Sequence, residues 1–356
     1  MSSPPADSRH LVGEGDDSSG KTKATDWDAN RYVKNAAFVP ELGKVLIELL
    51  KPRAGERILD VGCGDGKLTV ELQARGSDVV GIDFAPDMVA ASTKRGVEAY
   101  VMDAAAMDVP FLLSRVDKRD KGSRPGEVSS REEGGADEGV ARASGDSTVH
   151  QGDDHQHTMS SDGLESDSCG AYDAVFTNAA LHWIQAPLAV LHGVKRLLRP
   201  GGRFVGEFGG HSNIAAIRVA LHAVLRRRGL DPTTVDPWFF PTADEYRDLL
   251  EEAGFVVDEV KLIPRPTALA AGKHIKGWLE TFAEAFCDAV EVGGSEAGVE
   301  SGSNNAEAGS SYGLTASASS VLDEVAMLLE PSLRDSEGVW TIDYVRLRFE
   351  AHLPDK

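Results

Sequence analysis

The run Arg57-Ile58-Leu59-Asp60-Val61-Gly62-Cys63-Gly64-Asp65-Gly66-Lys67-Leu68 decides how the rest of the chain is read. Ile58, Leu59 and Val61 form the short apolar run of a buried parallel strand. Gly62, Gly64 and Gly66 then alternate, and glycine lets the backbone take positive φ and lets a ligand come close to main-chain N–H groups. A helix from Lys67 to Ala74 follows, with an N-terminus that favours negative charge. The pattern predicts a strand, turn and helix that bed a nucleotide-like or carboxylate-bearing ligand. The dinucleotide fingerprint needs a third glycine at the sixth place, where Lys67 stands. The phosphate-loop pattern fails too, because no Gly-Lys-Ser/Thr closes the loop.

Downstream, Asp78 to Asp83 reads as a second strand, with Asp83 at its carboxyl end. That end is the edge where open α/β sheets bind ligands. A carboxylate there can accept both hydroxyls of a ribose. Pro86-Asp87-Met88 opens a helix, since Pro suits a first turn and Asp87 suits the positive end of the dipole. Val97 to Met102 is a third strand, with Asp103 and Ala104 at its exit. Tyr172 to Asn178 is a fourth, followed by Ala179-Ala180-Leu181-His182-Trp183-Ile184. Pro187 then opens a helix whose apolar face holds Leu188, Val190, Leu191, Val194, Leu197 and Leu198. Leu198-Arg199-Pro200-Gly201-Gly202 predicts a helix stop and turn, and Arg203 to Phe208 a fifth strand.

Together these segments resemble the class I S-adenosylmethionine (SAM) dependent methyltransferases of the type 11 and type 25 kind. The nearest in character are trans-aconitate methyltransferase and related small-molecule methyltransferases. The resemblance rests on Asp-Val-Gly-Cys-Gly-Asp-Gly at 60–66, the acidic Asp83, Asn-Ala-Ala-Leu-His-Trp at 178–183, and Leu-Arg-Pro-Gly-Gly at 198–202. It covers residues 27–112, 171–290 and 319–351. It implies an α/β fold, a doubly wound Rossmann-like seven-stranded sheet with helices on both faces and the last strand antiparallel. It also implies SAM as cofactor, held by Asp60, Gly62, Cys63, Gly64, Gly66, Asp83, Phe84, Met88, Asp103, Ala104, Asn178 and Ala179. In this reading Gly62 to Gly66 bed the aminocarboxypropyl tail, Asp83 takes the ribose, and Phe84 and Asp103 flank the adenine.

The implied reaction is transfer of the SAM methyl group to an oxygen, nitrogen or carbon of a small molecule, O-methylation of a carboxylate being one form. An ionised carboxylate needs no general base, but it needs cationic or polar anchors, for which Arg31 and Arg265 are candidates. A phenol or amine acceptor would need a base, and His182 and His211 are the catalytic candidates. The reading as a structural or loop histidine is preferred for each. Trp27, Tyr32 and Trp183 are candidate substrate contacts, and the Trp27–Tyr32 pair reads either as helix packing or as a lid. A SAM-binding protein without turnover stays open, and so, further off, does a nicotinamide-dependent reductase.

Later in the chain, Ser212 or Asn213 is expected to cap a helix from Ile214 to Arg228. Pro237-Trp238-Phe239-Phe240-Pro241 is an aromatic cluster, and Thr242 with Glu245 has the spacing of a capping box. A sixth strand runs from Val256 to Ile263. An amphipathic stretch from Ile275 to Val290 carries Trp278, Leu279, Phe282 and Phe286, read as core or as cover for a substrate pocket. A short helix spans Val321 to Leu329, and Trp340 to Phe349 is the last strand.

The chain has 356 residues, 41% of them apolar, enough for a proper core. Its 37 Lys and Arg against 57 Asp and Glu leave a formal charge of −20, which argues against nucleic acid or an anionic membrane as partner. Cys63, Cys169 and Cys287 have no metal spacing and fit a reducing compartment, and no metal is expected. No apolar run reaches membrane-spanning length and no secretory h-region is seen, so a cytoplasmic location is expected. Residues 1–24 read as a disordered tail. Residues 25–356 read as one methyltransferase domain, interrupted by low-complexity insertions at 114–170 and 291–317 that are expected to be disordered. The first insertion holds His150, His155 and His157, a weak metal reading at most.

Overall fold

Strand β1 (Arg57–Val61) is buried from Ile58 onward, as an apolar run flanked by two neighbours should be. The structure is a computed structural model that describes residues 38–120, 170–296 and 316–355. Helix α1 (Phe38–Leu50) precedes β1, and α2 (Lys67–Ala74), β2 (Asp78–Asp83), α3 (Pro86–Lys94) and β3 (Glu98–Val101) follow it. Then come α4 (Val109–Asp120), β4 (Tyr172–Asn178), α5 (Pro187–Leu197) and β5 (Leu198–Gly209). The second half holds α6 (Ala215–Arg227), α7 (Ala243–Glu252), β6 (Val256–Ala268), α8 (Ile275–Phe282), α9 (Glu284–Glu296), α10 (Ala316–Leu333) and β7 (Thr341–His352).

The seven strands lie in the order β3-β2-β1-β4-β5-β7-β6. Strands β1 to β5 pair in parallel, while β7 is antiparallel to both β5 and β6. Alternate residues of one strand feed two cores. Ile58 joins Leu46, Ile47 and Leu50 of α1 and Leu68 and Leu72 of α2 on one face. Leu59 and Val61 join Leu112 of α4, Val190 and Val194 of α5 and Leu250 of α7 on the other. Helices on both faces thus give the expected doubly wound sheet. A third core, made by α6, α8, α9, α10 and Trp340, Ile342 and Tyr344, stands apart as a helical cap. Among the described residues no helix is long and apolar enough to cross a membrane.

Several boundaries differ from the sequence reading, each for a local reason. Helix α4 runs to Asp120, past the expected insertion start at 114, because Val109, Leu112 and Val116 keep helical spacing and all three are buried. Asp108 starts it by accepting the Phe111 N–H at 2.9 Å. The Leu198-Gly202 turn is instead the first part of β5. Leu198 pairs with Tyr172, and Gly201 and Gly202 exchange backbone bonds with Leu353 beyond β7. Neither Ser212 nor Asn213 caps α6. Ile214 holds the cap position, and Asp343 of β7 accepts the Ala216 N–H at 2.8 Å, while the Asn213 side chain accepts from Val345 N–H. The 275–290 stretch is two helices that break at Ala283. Helices α9 and α10 also reach into the second expected insertion, to Glu296 and from Ala316. The capping box of Thr242 and Glu245 forms as read. The 1–24 tail and the bodies of both insertions lie outside the described residues, as do His150, His155, His157 and Cys169.

Candidate active site

The glycine turn takes the form its composition requires. Gly62, Gly64 and Gly66 have φ of 74°, 54° and 79°. Gly62 and Cys63 both donate to the Ile82 carbonyl, at 2.8 and 3.0 Å, which ties the turn to the end of β2. A Cβ on Gly62 would collide with Ala180, and one on Gly66 with Ser92. Gly64 is the exception, because a Cβ there meets nothing within 4 Å. The turn therefore keeps an open face at Gly64, which is the room a ligand needs. Behind it Asp65 is buried and clamped. Arg95 Nε donates to its carbonyl at 2.8 Å, Arg95 Nη2 to its Oδ2 at 3.1 Å, and Lys67 Nζ stands 3.2 Å from the same oxygen. Lys67, which broke the dinucleotide pattern, thus anchors the turn at the first position of α2.

Two carboxylates lie beneath and beside this bed. Asp60 is fully enclosed and accepts from Thr69 Oγ1 at 2.6 Å. Burial pushes its pKa up to about 7, the charge of Asp83 adds to the rise, and the Thr69 bond opposes it. Asp83 accepts the Gly64 N–H on Oδ2 at 2.9 Å and the Ala85 N–H on Oδ1 at 3.0 Å. Burial raises its pKa against those bonds. A carboxylate has about four acceptor positions, so Asp83 is aimed by the backbone and retains capacity for further donors. Phe84 beside it is 41% exposed, and Met88 is buried underneath. The Met102 N–H donates to the Asp83 carbonyl at 2.9 Å and so brings the end of β3 alongside. Asp103 is exposed there, and its Oδ1 caps a short turn of Ala104 to Ala106 through the Ala105 N–H at 2.8 Å. Cys63 packs against Gly81, and burial pushes its thiol pKa far up, so it is an inert wall and no nucleophile.

The segment after β4 joins this bed to a second feature. Asn178 lies against Gly43 of α1, where a Cβ would come within 3.0 Å of its amide. Ala179 sits at φ 58°, a conformation few non-glycine residues adopt, held by a 2.7 Å bond from its N–H to the Glu207 carbonyl. Ala180 closes on Gly62. Beyond Ala179 opens a small, partly open cleft. It is lined by Ala179, His182, Trp183, Asn213, Ile214, Trp238, Phe240, Trp278, Phe282, Tyr344 and Arg346. Trp183 lies near-parallel to Phe282 at 6.3 Å, and Trp238 to Phe240 at 5.9 Å. Trp278 Nε1 donates to Tyr344 Oη at 2.6 Å, and the Arg346 guanidinium lies 4.3 Å above the Tyr344 ring.

His182 is buried in this wall, with its Nδ1 accepting the Gly209 N–H at 3.3 Å. Burial, helped by the positive charge of Arg346, holds its pKa well below the usual histidine value. The ring is therefore neutral, with its proton on Nε2. His211 is an exposed loop residue that does not line the cleft. Arg265, read as an anchor, is taken by Glu207, which also receives Arg348 at 2.8 Å. Trp27, Arg31 and Tyr32 lie outside the described residues. Sequence reasoning missed Arg346, Tyr344 and Asn213, and it gave Trp238 and Phe240 no role. A buried strand with Tyr344 and Arg346 two residues apart was the available signal, since an arginine on a covered face asks for a reason.

Comparisons with known proteins point the same way. A family profile described as a methyltransferase domain matches residues 29–260. An uncharacterized methyltransferase of Schizosaccharomyces pombe is 32% identical over 336 residues, 92% of this chain and 97% of its own. A trans-aconitate 2-methyltransferase of Rhodococcus jostii is 41% identical over 82 residues, 22% of this chain and 31% of its own. A ubiquinone biosynthesis O-methyltransferase of Xanthomonas oryzae pv. oryzae is 27% identical over 180 residues, 50% of this chain and 53% of its own.

Proposed function

The chain belongs to the class I SAM-dependent methyltransferases, and we propose that it methylates a carboxylate oxygen of a small molecule. The observation that carries this is the state of His182. Its Nδ1 is spent on the Gly209 N–H, and burial with Arg346 opposes a second proton, so it serves as a hydrogen-bond donor and not as a base. A phenol or amine acceptor would have to lose a proton that none of the described residues of this wall is placed to take. A carboxylate arrives ionised. The Rhodococcus relative, named for methylating trans-aconitate, has a carboxylate substrate too. Family membership sets the nicotinamide-dependent reading aside.

When bound, SAM supplies a sulfonium methyl, a group so ready to leave that the protein chiefly has to align donor and acceptor. Gly62 to Gly66 would hold its amino-acid tail on the open face of Gly64, and Asp83 its ribose hydroxyls. Phe84, Met88, Asp103 and Ala104 would border the adenine, and Asn178 and Ala179 the methyl-bearing end. Asp60 and Cys63 support the turn from below. Trp183 stands where that end meets the cleft, and His182 Nε2–H would orient the acceptor.

Calorimetry with SAM and an assay for S-adenosylhomocysteine over carboxylates, phenols and amines test this reading. Asp83→Ala is expected to weaken SAM binding by about 1–3 kcal/mol, the range for charge-assisted hydrogen bonds. A wild-type chain without measurable SAM affinity would sink the proposal, and SAM affinity without turnover would leave a binding protein.

A further inference from the structure

Resting on the reading of the glycine turn as the bed of SAM, we infer that Arg95 is a positioning residue for that turn. It sets the affinity for the amino-acid tail of the cofactor and not for its nucleoside. Arg95 stands just past the end of α3 and reaches thirty residues back to the turn. There it holds one peptide unit from a side that the turn cannot supply itself. Arg95 Nε donates to the Asp65 carbonyl at 2.8 Å, and the Gly66 N–H donates to the Cys63 carbonyl at 3.0 Å. A peptide unit is planar, so bonds at both its carbonyl and its N–H fix how it faces. Asp65 has glycine on each side, at φ of 54° and 79°, and glycines add no side-chain restraint of their own. The path from the open face of Gly64 into α2 therefore depends on this outside hold.

Charge gives Arg95 a second part in the same place. The Asp65 side chain is buried, and its Oδ1 accepts the Lys67 N–H at 3.4 Å. Its Oδ2 meets Arg95 Nη2 at 3.1 Å and Lys67 Nζ at 3.2 Å. A buried carboxylate that loses a cation keeps its charge without full compensation. In this turn that charge would oppose the carboxylate of the tail, while Arg95 and Lys67 together offset it. Ser92 of α3 packs against Gly66 so closely that a Cβ there would collide with it, which fixes the distance over which Arg95 has to reach. The nucleoside side is held by other bonds. Asp83 is aimed by the Gly64 and Ala85 N–H groups, and Arg95 makes no bond to Asp83, Phe84 or Met88. Loss of Arg95 is therefore felt at one end of the cofactor.

The test is calorimetric binding to the full chain of two ligands, S-adenosylhomocysteine and 5′-methylthioadenosine. The second keeps the nucleoside and the thioether but lacks the amino-acid tail. Arg95→Ala is expected to weaken S-adenosylhomocysteine at least about tenfold, the scale of a lost hydrogen bond to a charged group, and methylthioadenosine less than about twofold. Arg95→Lys, which keeps the charge and a donor, should recover part of the loss. The double variant Asp65→Asn with Arg95→Ala leaves no buried carboxylate short of a cation, so it serves if Arg95→Ala does not fold. It still lacks the bond to the Asp65 carbonyl and should show the same loss confined to the tail. Unchanged S-adenosylhomocysteine affinity, or an equal loss of both ligands, would overturn the inference, since a merely structural arginine would spare or weaken both alike. That result leaves the SAM reading standing. A wild-type chain that binds neither ligand defeats the SAM reading itself and takes this inference with it.

Discussion

The glycine turn and the aromatic cleft touch at Ala179 and Ala180, yet they are built in opposite ways. The turn and its surroundings come from one stretch, Asp60 to Asp103, and work through main-chain N–H groups, three left-handed glycines and two carboxylates aimed by backbone or a neighbour. The cleft draws its walls from positions 179 to 346, across the ends of β4 and β5, the loop before α7, helix α8 and strand β7. The turn needs a shape that few residues can make. The cleft needs volume and polarity that many combinations can supply. One protein can therefore keep its proposed cofactor edge legible while its proposed acceptor side is its own.

The sharpest way to break that contrast is Gly64→Val. The side chain would enter the open space above the turn, and we expect SAM affinity to fall at least about 100-fold, a loss of about 2.7 kcal/mol or more. The fold should lose only about 1–2 kcal/mol, the cost of a non-glycine residue in the left-handed region. Acceptor binding in the cleft should persist. Calorimetry with each ligand, alongside thermal melting, reads all three, and an equal loss of both ligands would mean the two regions are one site.

Asp60 probes the floor of the turn without entering it. Its folded pKa of about 7 lies above the ordinary 3.8. The folded chain therefore binds the extra proton more tightly than the unfolded chain does, and stability is fully present below about pH 4 and is lost as pH rises through 7. The roughly three-unit shift sets an upper bound of roughly 4 kcal/mol on that loss. Asp60→Asn keeps an acceptor for Thr69 and removes the charge. The variant's melting temperature should fall less than the wild type's between pH 5 and 8. Parallel curves would show that Asp60 stays ionised in the fold.

How much of this was legible follows from the same contrast. The turn, the end of β2 and the run after β4 each announced themselves locally, because glycine spacing and strand ends are written in adjacent residues. Lys67 was legible as an exclusion, but its pairing with Asp65 was not, because Arg95 completes that clamp from thirty residues away. The expected insertion start at 114 was early, since Val116 extends a helical face that polar neighbours obscure. Asp343 capping α6 and Leu353 pairing with Gly201 were beyond any local pattern, because each links a C-terminal residue to a mid-chain end. Arg346 is the clearest case. Nothing near it in sequence tells that Trp278, Phe282 and His182 gather round it.

The smallest expected effect is the one that most constrains the chemistry. His182→Gln retains an acceptor for the Gly209 N–H and a donor toward the cleft. If the acceptor is already ionised, kcat should change by less than about tenfold, and the pH–rate profile above pH 6 should keep its shape. Loss of a general base would instead cost about 10²–10⁴-fold and remove an ionisation from the profile. A hundredfold fall with a lost limb would therefore return the proton to His182, and with it a phenol or amine acceptor. The conservative glutamine matters here. His182 also packs in tilted contact with Trp183 and Phe240, so an alanine would open the wall and mix a packing loss with a proton-transfer loss. Glutamine leaves the Gly209 bond in place and asks only whether a proton had to move.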